Sequence, residues 1–550
     1  YANSVTWGYD DNNNLSTQKQ TLNGTTYTTS YTYDKDNRLT KTTEGTVSAG
    51  YTYDALGRMT ALDAQSGGKS VVKTTIGYND PSSTTATGQV RTWKSGATTY
   101  TYAYDARGNI TSVSDGQSTT TYAYDSFDQL VRENNQAAGK TWTYAYDDGG
   151  NIQSKTEYAY TTGTLGAAVR TVAYGYGDAS WSDLLTNIGG QSLTADEIGN
   201  LLSDGTWAYT WQHGRQLAGM SKTGTNITYG YDSDGKRITK TVNGTTYNYH
   251  YLGDQLVELT WGGNKLHFTY DSTGPLSVNC NGTEYFYVKN AQGDVTGLVN
   301  ASGTRVVTYT YDAWGNPLAT TGSLATTLGA QNPLRYRGYV YDTETGLYYL
   351  QSRYYNPGWG RFIGADDTAA LSASPGRTHW DKNLYAYCDN NPTSRVDDEG
   401  ELWDTLLCGA VMGIATQYVF DVVDNLADGA QGWSVFKPRS NGYEYFAAAV
   451  DGALAVSKLS AAAAKAVNGL VGGFTYIASA AAKGETIDGV QLVQTVVIKV
   501  ASTGKGENWE RSKGIISTSK KVVSQTSSPR KKAMYSSKIT TETKKVGTSA

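Results

Sequence analysis

The sequence predicts a mainly β chain in which antiparallel hairpins add edge to edge, followed by a smaller α-rich segment. Three observations predict the sheet. A Tyr-x-Tyr-Asp unit followed by a turn recurs in "YTYDKDNRLT" (31–40), "YTYDALGRMT" (51–60), "YAYDARGNIT" (102–111), "YAYDSFDQLV" (122–131) and "YAYDDGGNIQ" (144–153). Tyr occurs 44 times against Phe 8, an imbalance that asks for aromatic area with a polar tip and reads as a sheet face meeting water or a wet cavity. Only 9 Pro occur in 550 residues, so few backbone donors are lost to a hydrogen-bonded ladder.

Within each unit the two Tyr are two residues apart, which puts both rings on one face of a strand. In "YTYDALGRMT", Asp54 ends the strand and accepts from the next backbone N–H groups, Gly57 supplies the positive φ of the reversal, and Arg58-Met59 begins the return. The spacing from Tyr33 to Tyr53 and from Tyr104 to Tyr124 is 20 residues, and from Tyr124 to Tyr146 it is 22. Degenerate copies follow in "TYGYDSDGKRI" (228–238), "HFTYDSTGPL" (267–276), "YFYVKNAQGDV" (285–295) and "YTYDAWGNPL" (309–318). Linkers such as "LNGTTYTTSY" (22–31) and "VNGTTYNYHY" (242–251) carry the Asn-Gly hairpin signal. A lone hairpin is marginal in water, so the units are expected to join into one continuous, spiralling antiparallel sheet over residues 1–331.

Residues 332–400 are denser in aromatic and charged residues, with "NPLRYRGYVYDTETGLYYLQSRYYNPGWGRFIGADD" (332–367) and "NLYAYCDNNPTSRVDDEG" (383–400). Alternating aromatics beside charges that need internal partners predict a region folded inward as a plug. After residue 401 the composition turns to Ala, Gly, Val and Leu, as in "AAAVDGALAVSKLSAAAAKAVNGLVGGF" (447–474), which reads as helical over 401–502, with one strand at "VQLVQTVVIKVAS" (490–502). Residues 503–550 form a basic low-complexity tail; 501–550 hold 11 Lys and Arg against 3 Glu, whereas the whole chain carries a net charge of −4.

Cys280, Cys388 and Cys408 are far apart and odd in number, which excludes a disulfide framework or a CxxC metal site. No metal or cofactor is expected. "YDSDGKR" (231–237) has the Asp-x-Asp-Gly look of a calcium loop but lacks the distal Glu, so turn chemistry is the better reading. Cys388 and Cys408 read as buried small residues, with His379 the distant histidine to consider beside them. The others are His213, His250 and His267, so none lies after residue 400, which argues against a histidine general base in the C-terminal segment. No apolar run reaches the roughly 18 to 20 residues of a membrane span; the longest is "LLCGAVMGIA" (406–415). The basic end reads as a solvated tail rather than a nucleic-acid contact. The opening at Tyr1, without initiator Met or apolar leader, reads as part of a longer polypeptide whose export signal lies elsewhere.

These residues carry a resemblance. The hairpins resemble YD repeats, and 332–400 is similar to the core domain that closes Rhs proteins, a family related to the C component of insecticidal toxin complexes and, more distantly, to teneurins. "GLYYLQSRYYNPGWGRF" (346–362) is its most specific stretch. The resemblance implies a hollow β-shell, a core plug at one end, and a variable toxin after a closing Asp-Pro-x-Gly-Leu motif. It also implies an aspartyl autoprotease in some members, whose groups fall here on Arg353, Asp366 and Asp397. Arg353 is then either catalytic or an ion-pair anchor for the plug, and the two Asp are either catalytic or turn residues. The sequence departs at the motif itself, reading Asp397-Asp398-Glu399-Gly400-Glu401. The added acids put negative charge beside the scissile region, and Pro and Leu no longer shape the substrate strand, so a mostly intact chain is expected at neutral pH.

Three functions follow in order. The first is an encapsulation and delivery shell, secreted or at the cell surface, holding its own C-terminal segment as cargo, with an immunity protein or a secretion apparatus as further partners. The second is a surface adhesion module of teneurin type binding proteins or surface glycans. The third is a single self-cleavage.

Overall fold

The structure, a computed structural model, describes residues 4–80, 87–366, 383–397 and 404–405. The chain divides into two compact units. One comprises Tyr1–Asp34, Leu39–Asp367 and Asp381–Leu406; the other comprises Lys35–Arg38, Thr368–Trp380 and Leu407–Ala550. Of the second, only the turn Lys35–Arg38 is among the described residues, with Arg38 3.3 Å from Asp36. The helical segment expected over 401–502 and the basic tail 503–550 lie outside the described residues, save the backbone of Asp404–Thr405, which pairs as a strand with Arg395–Val396.

Within each sheet of the first unit every strand pairs antiparallel with the next in sequence, as a chain of hairpins requires. A 17-stranded sheet runs from Ser4–Tyr9 to Gln191–Ser192, and a 14-stranded sheet runs from Thr194–Ala195 to Pro317–Thr321. The single continuous sheet expected from the repeat is therefore interrupted at Leu193. The reason is local. The strands Asn187–Ile188 and Gln191–Ser192 are two residues each, around a Gly189-Gly190 turn with both φ positive, and offer too few rungs to carry the ladder onward. Leu193 then turns inward, 7% exposed, into the core beneath the second sheet.

The repeat turns behave as the sequence predicts. Asp54 Oδ1 accepts from Leu56 N and Arg58 N, both at 2.9 Å, and Gly57 has φ +80°. Asp232 of the calcium-like stretch does the same for Asp234 N (3.0 Å) and Lys236 N (2.9 Å). Just before each such turn the register slips by one residue, as at Thr52/Tyr53, Ala123/Tyr124 and Ala145/Tyr146. This β-bulge leaves a carbonyl at the start of the returning strand available for another partner.

That partner is tyrosine. The second Tyr of a unit donates its hydroxyl to the carbonyl at the start of the previous unit's returning strand: Tyr33 to Leu15 (2.9 Å), Tyr53 to Leu39 (2.8 Å), Tyr104 to Val90 (2.7 Å), Tyr124 to Ile110 (2.5 Å), Tyr146 to Leu130 (2.6 Å) and Tyr176 to Ile152 (2.9 Å). The second sheet repeats it with Tyr231 to Leu217 (2.8 Å), Tyr270 to Leu256 (2.7 Å) and Tyr311 to Val295 (2.9 Å), and with Trp211 Nε1 to Leu201 (2.7 Å). The expectation of a wet tyrosine face is thus corrected, because these phenols spend their polar tips on backbone carbonyls within the fold. Burial pushes the Tyr146 hydroxyl well above its usual value, so it remains a donor.

The side chains at the accepting positions are aliphatic and form the core with the first Tyr of each unit. One cluster joins Leu217, Ile227, Leu256, Leu266, Phe268 and Val307 of the second sheet to Leu347, Tyr349, Tyr354 and Ile363. Another joins Leu130, Trp142, Tyr144 and Ile152 of the first sheet to Trp314, Tyr336, Tyr348 and Tyr355. A third packs Val47, Tyr51 and Leu62 of the first sheet on Leu276, Phe286 and Val299 of the second. The aromatic-rich region therefore inserts against both sheets, as its composition predicts.

That region builds a 4-stranded antiparallel sheet from Val340–Asp342, Leu347–Leu350, Arg353–Asn356 and Arg361–Phe362. Its tyrosines again donate to carbonyls, Tyr348 to Gly315 (2.9 Å) and Tyr355 to Trp314 (2.8 Å), both in the turn of the last repeat. Gly315 has φ +80°, and a side chain there would meet the Tyr336 ring at 2.4 Å. On the second sheet, fully buried Arg237 grips Asp342 at 2.6 and 3.1 Å, with Lys240 3.0 Å from the same carboxylate. Burial alone would raise the Asp342 carboxyl, but the two cations outweigh it and hold it below its usual value. The rings of Tyr249 and Tyr349 lie 4.7 and 4.4 Å from the guanidinium, where their faces add cation–π attraction.

Tyr146→Phe should lower the unfolding free energy of the full chain by about 1 kcal/mol or somewhat more, since one buried carbonyl loses its donor. Tyr9→Phe should leave it unchanged, because that ring is 59% exposed. Denaturant titration of the two variants separates them, and equal effects would remove the tyrosine rung from the account.

Candidate functional site

The three residues singled out in the sequence meet. Arg353 opens the strand Arg353–Asn356, and its Nη2 lies 3.0 Å from Asp366 Oδ2 and 3.6 Å from Asp397 Oδ2. All three are buried, Asp397 at 2% exposure. The carbonyl of Leu384 fixes the first pair by accepting from Arg353 Nη1 (3.0 Å) and from the Asp366 backbone N–H (2.9 Å). The guanidinium lies 3.6 Å from the centre of the Phe362 ring, which blocks its other face. Asp397 is set by its own N–H, donated to Tyr339 Oη at 3.0 Å, and Tyr339 Oη is in turn 3.1 Å from Tyr387 Oη.

Both carboxylates reach the same guanidinium nitrogen, and all three side chains are buried. The same arrangement satisfies an ion-pair anchor, since it ties three separated segments of the core region together. Asp398, Glu399 and Glu401, the acids that replace the closing motif, lie outside the described residues.

Phe362, Tyr339 and Leu384 were not singled out beforehand. Phe362 stands in the "WGRF" end of the specific stretch, where the alternation gave a signal. Leu384 acts through its backbone, which no side-chain pattern reveals. Cys388 is 1% exposed, and burial first, then the nearby Asp397 charge, push its thiol well up, so it is no thiolate nucleophile. Cys408 and His379 lie outside the described residues. Among the described residues no group of three or more His, Cys, Asp or Glu is arranged to hold a metal ion, and no helix is long and apolar enough to cross a membrane.

The hairpin grammar and the core region agree with known families. The teneurin YD-shell profile matches residues 109–393. The chain belongs to the teneurin YD-shell family. A tRNA3(Ser)-specific nuclease WapA of Bacillus spizizenii is 42% identical over 234 residues, covering 41% of this chain and 10% of that protein. A probable deoxyribonuclease RhsB of Dickeya dadantii is 28% identical over 226 residues, 38% of this chain and 14% of that protein. The crystal structure of TcdB2-TccC3-Cdc42 superposes with a TM-score of 0.54 at 19% identity over 72% of this YD-shell chain and 22% of that one, a likeness of fold. The chain thus matches only a small share of the length of these relatives.

Arg353→Leu should destabilise the YD-shell protein at neutral pH by about 3–5 kcal/mol, since two buried carboxylates lose their cation. Arg353→Lys, which keeps a cation but not the planar fork, should recover part of the deficit. Denaturant unfolding of both variants and the parent reads this, and equal deficits for Arg353→Leu and Arg353→Lys would contradict an electrostatic role for the ion pair.

Proposed function

We propose that the chain is an encapsulation shell that holds its own C-terminal segment, residues 401–550, and delivers it in competition between cells or in toxin secretion. The observation that carries this reading is the core region, which packs into both sheets and leads the chain to Asp397 within a buried cluster. A region so anchored acts as a plug, and chain continuing beyond it is held at the plug. Relatives named as a tRNA nuclease and a deoxyribonuclease support an effector as cargo. An immunity protein or secretion apparatus is the accompanying partner, and the protein acts outside the cell or at its surface.

The test is protease protection. In the full chain, residues 407–550 should survive protease concentrations that digest them once the plug is loosened by Asp342→Asn. Digestion of 407–550 in the intact protein while the β region persists would reject encapsulation and favour a surface adhesion module instead.

A second reading, self-cleavage near residue 401, is favoured by one observation, the convergence of Asp366 and Asp397 on Arg353. In that reading the two carboxylates are acid and base, and Arg353 keeps one ionised. The acids at 398, 399 and 401 oppose it, so purified protein should be mostly intact by mass spectrometry at neutral pH. Restoring Pro at 398 and Leu at 401 should produce cleavage there, and Asp397→Asn should abolish it. Parent protein already split near 401, and made whole by Asp397→Asn, would show that the degenerate motif is sufficient.

A further inference from the structure

The turn of the last repeat, between the strands Arg305–Tyr311 and Pro317–Thr321, is where the first sheet, the second sheet and the core region all meet. Its Asp312 is only 4% exposed. Oδ1 of Asp312 accepts from Trp314 N and Asn316 N (both 3.0 Å), as Asp54 and Asp232 do in their turns, but Oδ2 is taken by Lys155 of the first sheet at 3.0 Å. The next peptide, Ala313 N, donates at 3.0 Å to Glu133 Oε2, also of the first sheet, while Glu133 Oε1 accepts from Asn135 at 3.1 Å. Glu133 is fully buried. The same turn offers the Trp314 and Gly315 carbonyls to Tyr355 and Tyr348 of the core region.

The charges do not balance when both acids are ionised. The Lys155 ammonium is on Asp312, Glu133 accepts from the neutral Ala313 and Asn135 N–H groups, and the other titratable groups facing Glu133, the Tyr122 and Tyr144 phenols, are kept neutral by burial. A proton on Glu133 makes the set neutral. We propose that Glu133, Asp312 and Lys155 form a proton-dependent latch, which holds the last turn and the core region against the first sheet while buried Glu133 keeps its proton, and loosens when that proton leaves. A cavity of about 620 Å³, lined by Lys155 and Asp312 together with Lys140, Glu157 and Arg170, opens beside the latch. The latch follows from the fold and is independent of whether the chain cleaves itself.

The direction is fixed by linkage. Burial first, and the Asp312 charge second, push Glu133 up to about 8. A carboxyl raised in the folded state stabilises fully below its unfolded value, and that contribution is lost as pH rises through the folded value. The latch is therefore closed in acidic and neutral solution and weakens in alkaline solution.

The experiment is thermal unfolding of the full chain from about pH 6 to about pH 10, followed by tryptophan fluorescence, since Trp142 and Trp314 flank the latch. The parent should lose several degrees of melting temperature across about pH 7 to about pH 9, and Glu133→Gln, which mimics the neutral acid, should lack that step. Lys155→Met should move the step to higher pH by about one unit, because loss of the cation makes ionisation harder. Should Glu133→Gln not fold, the direction of the Lys155→Met shift decides. A Glu133→Gln profile parallel to the parent, or a Lys155→Met step that stays in place or moves down, would overturn the latch.

Discussion

The fold depends on one recurring bond, from a tyrosine hydroxyl to the carbonyl freed by a β-bulge one repeat earlier. An antiparallel ladder needs no such bond, but a bulge does, because it leaves a buried carbonyl without its ladder donor. Placing the bulge, the Asp-led turn and the second Tyr together lets each hairpin supply the donor its predecessor lacks, as Tyr53 does for Leu39 and Tyr146 for Leu130. The bond works across repeats and so fixes their order. It also explains why phenylalanine is rare in the motif, since Phe would bury the same ring and orphan the carbonyl.

Much of this was legible in the residues. Tyr-x-Tyr-Asp announced hairpins, turns and edge-to-edge addition, and the dense stretch 346–362 announced the inserted region. The destination of the hydroxyls was not legible, because a Tyr facing water and a Tyr facing a carbonyl look alike in one dimension. The break at Leu193 was hidden for a similar reason: "NIGGQSL" keeps strand-like composition, and only the two-residue strands show that the ladder has run out. Of the site, Arg353, Asp366 and Asp397 came from a motif resemblance, and their mutual distances are a structural fact. Tyr339 and the Leu384 carbonyl position them through the backbone, where sequence pattern is silent.

The core region is held by ions as much as by rings. Arg237 and Lys240 hold Asp342, Lys155 holds Asp312, Arg337 approaches Asp294 at 3.6 Å, and Arg353 holds Asp366. Buried pairs of this kind add little net stability over apolar packing, because desolvation cancels most of the attraction. What they add is discrimination. A sheet built from near-identical hairpins presents many similar aromatic grooves, and apolar packing alone would accept a core region displaced by one repeat. A buried guanidinium seated on its carboxylate, as Arg237 is on Asp342, does not accept it, since a shift leaves both charges buried and separated.

The separation of partners along the chain says when that discrimination acts. The tyrosine bonds close short loops, 14 residues for Tyr124 to Ile110 and for Tyr231 to Leu217. The bonds of the core region close long ones, 105 residues for Arg237 to Asp342, 185 for Tyr174 to Trp359 and 232 for Asn383 to Asn151. Contacts between distant residues wait on loop-closure entropy that local hairpins do not face, so hairpins and their tyrosine bonds form before the core region docks. Docking then tests both sheets together, because the turn at Asp312 is engaged only if the first sheet presents Lys155 and Glu133 at the right height. A register error anywhere between them would leave a carboxylate without its cation, and the energetic penalty of that error is what makes one arrangement of a repetitive chain unique.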